Sequence, residues 1–172
     1  MQEHIQNELA SFIANCDWEK IAPHFKEDAA YRVLDWIGCA VAGEHYPQVE
    51  IAQKYFIENG DQGNSTVIGH QTKCSPRTAA FLNGIAGHVC ELDDGHRTAI
   101  GHPGSIAVPT ALALGEHLNA SGADVLKAVI LGYEVFSRLG RTVNPSHYRT
   151  WHTTGTCGTI AAAAAAASLL KL

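Results

Sequence analysis

The sequence predicts an all-α protein. Apolar residues recur every three or four positions through most of the 172 residues, which is the period of a helix that buries one face. Serine or proline stands at the start of several of these segments, as at helix N-termini. Seven consecutive alanines, Ala161 to Ala167, have the highest helix propensity of any residue type. Residues 66–69 suggest one short extended piece between polar turns.

We predict the first three helices over residues 4–16, 23–43 and 48–58. The first is amphipathic, with Leu9 and Phe12 on its apolar face. Pro23 begins the second, and Gly43 ends it. The third stops at Asn59, where an Asn-Gly pair opens the polar turn of residues 61–65.

The fourth helix is predicted to begin with Ser75 as N-cap and Pro76 at the first helical position, where a missing N–H costs nothing. It continues toward an acidic segment, so that His88 and Glu91 share one face. The carboxylates that follow oppose the helix dipole. A histidine, an arginine such as Arg97, or a bound cation must therefore offset them.

Three further helices complete the predicted fold. Ser105 is expected to cap the fifth, in which Pro109 is tolerated only in or near the first turn. The sixth begins at Ser121 with Asp124 in the manner of a capping box, and it carries a favourable Glu134–Arg138 pair. The seventh starts beside His152 and contains the alanine run, whose small side chains allow close packing of neighbouring helices.

The most unusual segment is Glu91 to Gly104, which places three carboxylates and two imidazoles between long apolar segments: Glu91, Asp93, Asp94, His96 and His102. Charged groups held against an apolar scaffold lose solvation, and such clusters are over-represented at sites that handle protons or anionic ligands. A solvated loop is the ordinary alternative, but the glycines and Pro103 favour a shaped turn. For Asp93 and Asp94, helix termination and catalysis are equally good interpretations.

Several linked motifs resemble the MmgE/PrpD family, which includes 2-methylcitrate dehydratases, cis-aconitate decarboxylases and iminodisuccinate epimerases. They are DWIGCAVAG at 35–43, GIAGHVCELDD at 84–94, GHPG at 101–104, SG at 121–122 and GYEV at 132–135. The resemblance implies that residues 1–172 form a single N-terminal helical domain. In full-length relatives this helical domain is completed by a lid domain that follows it in sequence and by a C-terminal segment that returns to it. We expect this chain to be incomplete in that respect and to lack the lid.

The resemblance also implies the site residues. His102 and His152 occupy positions of family active-site histidines, and Asp94 closes the family's paired-acid motif, so these three are the predicted catalytic residues. The predicted substrate-binding residues are Glu91, Asp93, His96 and Thr153. Gly95 replaces the usual threonine, and the loop to His102 is slightly longer than in the decarboxylases, so the substrate is left open among small polycarboxylates. No metal and no organic cofactor is expected.

Composition limits the classes of partner. With 46% hydrophobic and 17% charged residues the chain can bury one core. A net charge of −5 with scattered lysines and arginines argues against nucleic acid and anionic membranes. The N-terminus has no secretion signal, and the longest apolar run, Ile160 to Ala167, is short for a membrane span, so a cytoplasmic protein is expected. Five cysteines without a C-x-x-C pair predict neither disulfides nor a thiolate zinc site.

Three functions remain open at this point. The first is the portion of a lyase or isomerase that acts on a polycarboxylate by acid–base chemistry and is inactive alone, because family members supply a lysine and a lid from later sequence. The second is a metal-dependent enzyme that uses the His/Asp/Glu cluster, although its spacing matches no H-E-x-x-H signature. The third is a non-catalytic helical association module. Unpaired apolar faces would make the chain a homo-oligomer.

Overall fold

The computed structural model describes residues 4–71 and 73–172, and it confirms the all-α fold. Its helices are α1 (Ile5–Ala14), α2 (Pro23–Gly43), α3 (Pro47–Glu58), α4 (Pro76–His88), α5 (Gly104–Leu118), α6 (Gly122–Val143) and α7 (Thr153–Leu170). Single 3₁₀ turns lie at Trp18–Lys20 and His147–Arg149. The short strand β1 (Ser65–Thr66) overlaps the predicted extended piece of residues 66–69 only at Thr66, and it pairs antiparallel with β2 (Lys73–Cys74).

The core lies where α5, α6 and α7 pack together, and α4 joins it through α5 and α2. Trp36, Phe136, Leu82 and Leu131 are the largest fully buried side chains. Small residues bring the helices close together. A Cβ added at Gly132 of α6 would lie 2.7 Å from that of Ala107 in α5. The alanine-rich α7 packs against both of these helices, which is the central role that its composition predicts.

By length and apolar composition α7 could also cross a membrane, and it is the one helix within residues 4–71 and 73–172 that passes this test. The continuous apolar run from Ile160 to Ala167 is shorter than this helix, which passes the test on the mean hydropathy of 18 residues. The central helix of a folded protein passes the same test. Here α7 buries Cys157, Ala161 and Ala165 against its neighbours, so packing accounts for its apolar character.

The predicted helix starts at Ser75 and Ser121 are confirmed. The Ser75 hydroxyl oxygen accepts the Thr78 N–H at 3.3 Å. The Ser121 hydroxyl accepts the Asp124 N–H at 3.2 Å and donates to the Asp124 carboxylate at 2.7 Å. The Glu134–Arg138 pair also forms, with Arg138 Nε donating at 2.7 Å. These features depend on residues at most four positions apart, which is why the sequence predicts them.

Two predictions about α5 are wrong. The helix begins at Gly104, so Ser105 lies inside it and donates its hydroxyl to the His102 carbonyl at 2.9 Å. Pro109 lies beyond the first turn, where a proline leaves the carbonyl four residues earlier without its helical donor. Gly84 of α4 makes room here, because a Cβ at that position would lie 3.3 Å from the Ser105 carbonyl oxygen and 3.8 Å from the Pro109 ring.

The end of α4 also differs from the prediction. The helix stops at His88, and Glu91 has a left-handed backbone with φ of 49°. His88 and Glu91 therefore do not share a helix face. The chain turns sharply at this point, and the turn carries Asp93 and Asp94 back toward the body of the domain.

Candidate active site

A buried carboxylate between two imidazoles forms the centre of the site. The Asp93 side chain has no exposed surface, and its two oxygens lie 3.0 and 3.1 Å from His88 Nδ1. Its Oδ2 lies 3.5 Å from His102 Nδ1. The two imidazole rings meet edge to face with their centroids 4.8 Å apart. We call His88, Asp93 and His102 the acid–imidazole cluster.

Within this cluster the surroundings of His88 favour its charged form. The hydrogen bond with Asp93 raises the pKa of His88 above its ordinary value, against the opposing effect of partial burial. The negative charges of Asp93 and Glu91 act in the same direction. The histidine predicted to offset the acids is therefore present, and it belongs to the last turn of α4.

The loop that carries His102 is held at several points. The His96 N–H donates to the Gly101 carbonyl at 2.8 Å, and the His102 N–H donates to the Thr154 hydroxyl at 3.1 Å. Gly101 has no space for a side chain, because a Cβ there would lie 2.8 Å from the Phe136 ring and 3.0 Å from the Thr154 hydroxyl. The Gly-His-Pro-Gly turn thus fixes His102 against the start of α7.

Asp94 faces a different set of partners. Its Oδ2 accepts Arg32 Nη1 at 2.8 Å, and its Oδ1 accepts the Gly104 N–H at 3.2 Å. Arg32 lies over the Tyr133 ring at 5.1 Å and also donates to Asp28 at 2.6 Å. Burial, followed by the negative charge of Asp94, raises the pKa of Tyr133. The cation that offsets Asp94 is therefore Arg32 of α2 and not Arg97.

The predicted substrate-binding residues are dispersed. Asp93 lies in the cluster, and Glu91 is exposed on the left-handed turn. His96 Nδ1 accepts the Ala99 N–H at 3.1 Å and so shapes the loop. Thr153 is fully buried, and its hydroxyl accepts Asn144 Nδ2 at 3.1 Å. Its side chain holds the start of α7 and lines neither of the two cavities described next.

Two cavities are lined by three of the predicted residues: Asp94 and His96 line the first and His152 lines the second, whereas His102 lines neither. The arginine cavity, of about 390 Å³, is lined by residues that include Arg32, Asp94, His96, Arg97 and Tyr133. The histidine cavity, of about 520 Å³, is mostly apolar, and its lining includes Phe81, His88, Ile106, His152 and Thr154. His152 is the N-cap of α7 and is exposed, so the first turn of α7 opens into the histidine cavity.

Sequence reasoning missed three residues that shape these sites: Arg32, Tyr133 and Thr154. Arg32 interrupts the apolar pattern of α2 between Ala29 and Val33, and that interruption was the available signal. Tyr133 is part of the Gly-Tyr-Glu-Val motif, whose tyrosine was given no role. For Thr154 no signal exists, because its contact with the backbone of His102 spans 52 residues.

Comparison with known proteins agrees with these motifs. The chain is 32% identical to a cis-aconitate decarboxylase-like protein of Aspergillus oryzae and 32% identical to the cis-aconitate decarboxylase of Aspergillus terreus, over 98% of its own length in both cases. It is 34% identical to the human cis-aconitate decarboxylase over 76% of its length. The aligned regions cover 37%, 36% and 29% of these relatives, so the chain spans about a third of their length. The sequence profile of the MmgE/PrpD N-terminal domain matches residues 7–172, and the chain belongs to the MmgE/PrpD family.

Proposed function

We propose that this chain supplies the histidine-bearing part of a lyase site that acts on a small polycarboxylate by acid–base chemistry. The observation that carries the proposal is the convergence of the acid–imidazole cluster with the start of α7. His88 and His152 line one cavity, and the His102 ring meets the His88 ring edge to face. The relatives named as cis-aconitate decarboxylases make an unsaturated tricarboxylate the first substrate to test.

The cavity has the groups that such a reaction requires. Decarboxylation of an unsaturated polycarboxylate needs a proton donor for carbon and a place for the carboxylates that remain. Histidine titrates nearest to neutral pH and suits proton transfer in either direction. The N-terminus of α7 attracts carboxylates through the helix dipole, although the Gly155 and Thr156 N–H groups already donate to the His152 carbonyl. The apolar lining reduces the screening of these interactions by water.

The geometry suggests separate roles for the two motif histidines. His102 turns Nδ1 toward Asp93, which leaves Nε2 for proton transfer. His152 is exposed at the mouth of the cavity, where it can meet a substrate carboxylate or exchange a proton with solvent. Asp94 is held by Arg32 and the Gly104 N–H, so we give it a supporting role in place of the catalytic one that its motif implies. The family resemblance implies that a lysine and a lid from later sequence complete the site.

The first prediction tests the two histidines in the protein at its full native length. His102→Gln and His152→Gln should each lower kcat by about 10²–10⁴-fold, the usual contribution of one general acid or base. Initial rates with cis-aconitate, methylcitrate and iminodisuccinate measure the effect and identify which reaction the protein catalyses.

His117→Gln is the matched control, because His117 lies at the far end of α5 and contacts Asn64 at 2.7 Å. It should retain full activity. Full activity in both motif variants would contradict the proposed site. If His96→Gln alone abolished turnover, the reaction would belong in the arginine cavity.

A further inference from the structure

We infer that the acid–imidazole cluster binds a divalent transition-metal ion of the zinc type, and that the bound ion inhibits the enzyme. The proposed reaction does not use this ion. The inhibition rests on the proposed function, because it requires His102 to transfer protons. The binding itself does not, because it depends only on His88, Asp93 and His102.

The three candidate ligand atoms lie near enough to one another to bind one metal ion. His88 Nδ1, an Asp93 oxygen and His102 Nδ1 lie within 4.8 Å of one another. The nitrogen–oxygen separations are 3.0 Å for His88 and 3.5 Å for His102. Ligand atoms bound tetrahedrally to zinc at about 2.0–2.2 Å lie roughly 3.3–3.5 Å apart. Small rotations of the two imidazole rings would therefore bring all three atoms onto one ion.

A second observation points to a cation at this position. His102 Nδ1 is buried and makes no hydrogen bond with any residue that the structure describes. Its nearest polar neighbour is the buried Asp93 carboxylate, which is already hydrogen-bonded to His88. A buried polar atom without a partner costs about 1–3 kcal/mol. A metal ion would bond to both imidazole nitrogens and to the carboxylate together, and it would give His102 Nδ1 a partner.

The donor set indicates which ion binds. Two imidazole nitrogens and one carboxylate oxygen suit zinc, cobalt, nickel and copper, whereas magnesium and calcium prefer an all-oxygen shell. His88 also lines the histidine cavity, so the cluster borders a space from which an ion could reach it. The bound ion would occupy His102 Nδ1, fix the ring and place a positive charge beside Nε2, all of which oppose its use as a proton carrier.

The binding experiment uses Co²⁺, whose visible absorption reports coordination, with Zn²⁺ as the competitor. Wild-type chain should bind one Co²⁺, and Zn²⁺ should displace it. Loss of an outer-shell partner typically weakens metal binding by 10–100-fold, so loss of a direct ligand in His88→Gln or Asp93→Asn should weaken it by about 100-fold or more. His88 is partly exposed, and far-UV circular dichroism of His88→Gln verifies that this variant is folded.

His45→Gln is the control, since His45 is a largely exposed histidine whose ion-pair partner is Glu44. It should bind Co²⁺ as tightly as the wild type does. Absence of Co²⁺ binding by the wild type would overturn the inference. Equal binding by wild type and a folded His88→Gln variant would overturn it as well.

Inhibition is measured separately, on the protein at full native length and relative to each variant's own activity. Zn²⁺ should inhibit the wild type, a chelator should restore its activity, and the half-inhibitory concentration should rise about 100-fold in His88→Gln. Zinc bound at the cluster without loss of activity would contradict the inhibitory part. Site-specific metal binding in a protein that turns over none of the three substrates would support the metal site and count against the proposed function.

Discussion

Asp93 and Asp94 are adjacent in sequence and have different partners in the structure. Asp93 lies between two imidazoles, whereas Asp94 pairs with Arg32 and accepts the Gly104 N–H. The chain therefore divides its paired acids between the candidate site and the support of the loop that leads to α5. The family resemblance implies a catalytic role for Asp94 and a substrate-binding role for Asp93, but their adjacent positions do not reveal that the two side chains have different partners.

The stability of the Asp94 variant tests this division. Asp94→Ala removes a charged hydrogen bond and a backbone contact, and it should lower the free energy of unfolding by about 1–3 kcal/mol. Asp28→Ala is the matched control, because Asp28 also pairs with Arg32 but is 55% exposed. This substitution should lower the free energy of unfolding by at most about 1 kcal/mol. Urea unfolding of both variants provides the comparison. Equal losses of unfolding free energy in the two variants would show that Asp94 has no special supporting role.

At the scale of elements, glycine sets the distance between α2 and α4. A Cβ at Gly43 would overlap the Ala86 carbonyl oxygen and lie 2.8 Å from a Val89 methyl group. One at Gly87 would lie 2.6 Å from the Trp36 ring. The close approach buries Trp36 and positions the end of α4, where His88 contacts Asp93.

Two glycine-to-alanine substitutions in α2 should change the free energy of unfolding differently. Gly43→Ala forces α2 and α4 apart and should lower the free energy of unfolding by about 1–3 kcal/mol. Gly38→Ala adds a methyl group in open space and should be neutral or stabilise by about 0.5–1 kcal/mol, because alanine favours the helix. Thermal and urea unfolding of the two variants measure these changes in stability. A Gly43→Ala protein as stable as Gly38→Ala would show that the helix contact is not tight.

The elements themselves were largely predictable, and the contacts between them were not. The starts at Ser75 and Ser121 depend on residues three positions away, so sequence spacing shows them. The Arg32–Asp94 ion pair spans 62 residues and needs the packing of α2 beside the acidic turn. The close approach of Gly84 in α4 to the Ser105 carbonyl in α5 likewise depends on the packing of two separate helices. Local chemistry thus predicts helices, and tertiary packing decides which of the clustered side chains meet.

At the scale of the whole molecule, α2 has an apolar stripe that the described part of the chain leaves uncovered. Tyr31, Leu34 and Val41 are three and seven positions apart on one face, and each is more than half exposed. Contiguous exposed apolar surface of this kind marks association sites in soluble proteins. We propose that a second copy of the chain covers this stripe.

Light scattering at several protein concentrations tests the association. The wild-type chain should have an average mass above that of the 18.4 kDa monomer, and Leu34→Lys should shift it toward the monomer because a charge would be buried at the contact. Leu92→Lys is the control, since Leu92 is exposed to the same degree, 67% against 65%, but lies on the acidic turn. A monomeric wild type would contradict the proposal, as would an equal response of both variants.

The hydrogen bond from the His102 N–H to the Thr154 hydroxyl joins the two histidine-bearing segments into one cooperative unit. Gly101 fits closely against the same threonine and the Phe136 ring, so the loop cannot lift without disturbing the first turn of α7. Proteins open locally in such contiguous units, each with its own free energy. A fluctuation that releases His102 therefore also releases the turn that begins at His152, and both groups return to place together when the unit closes.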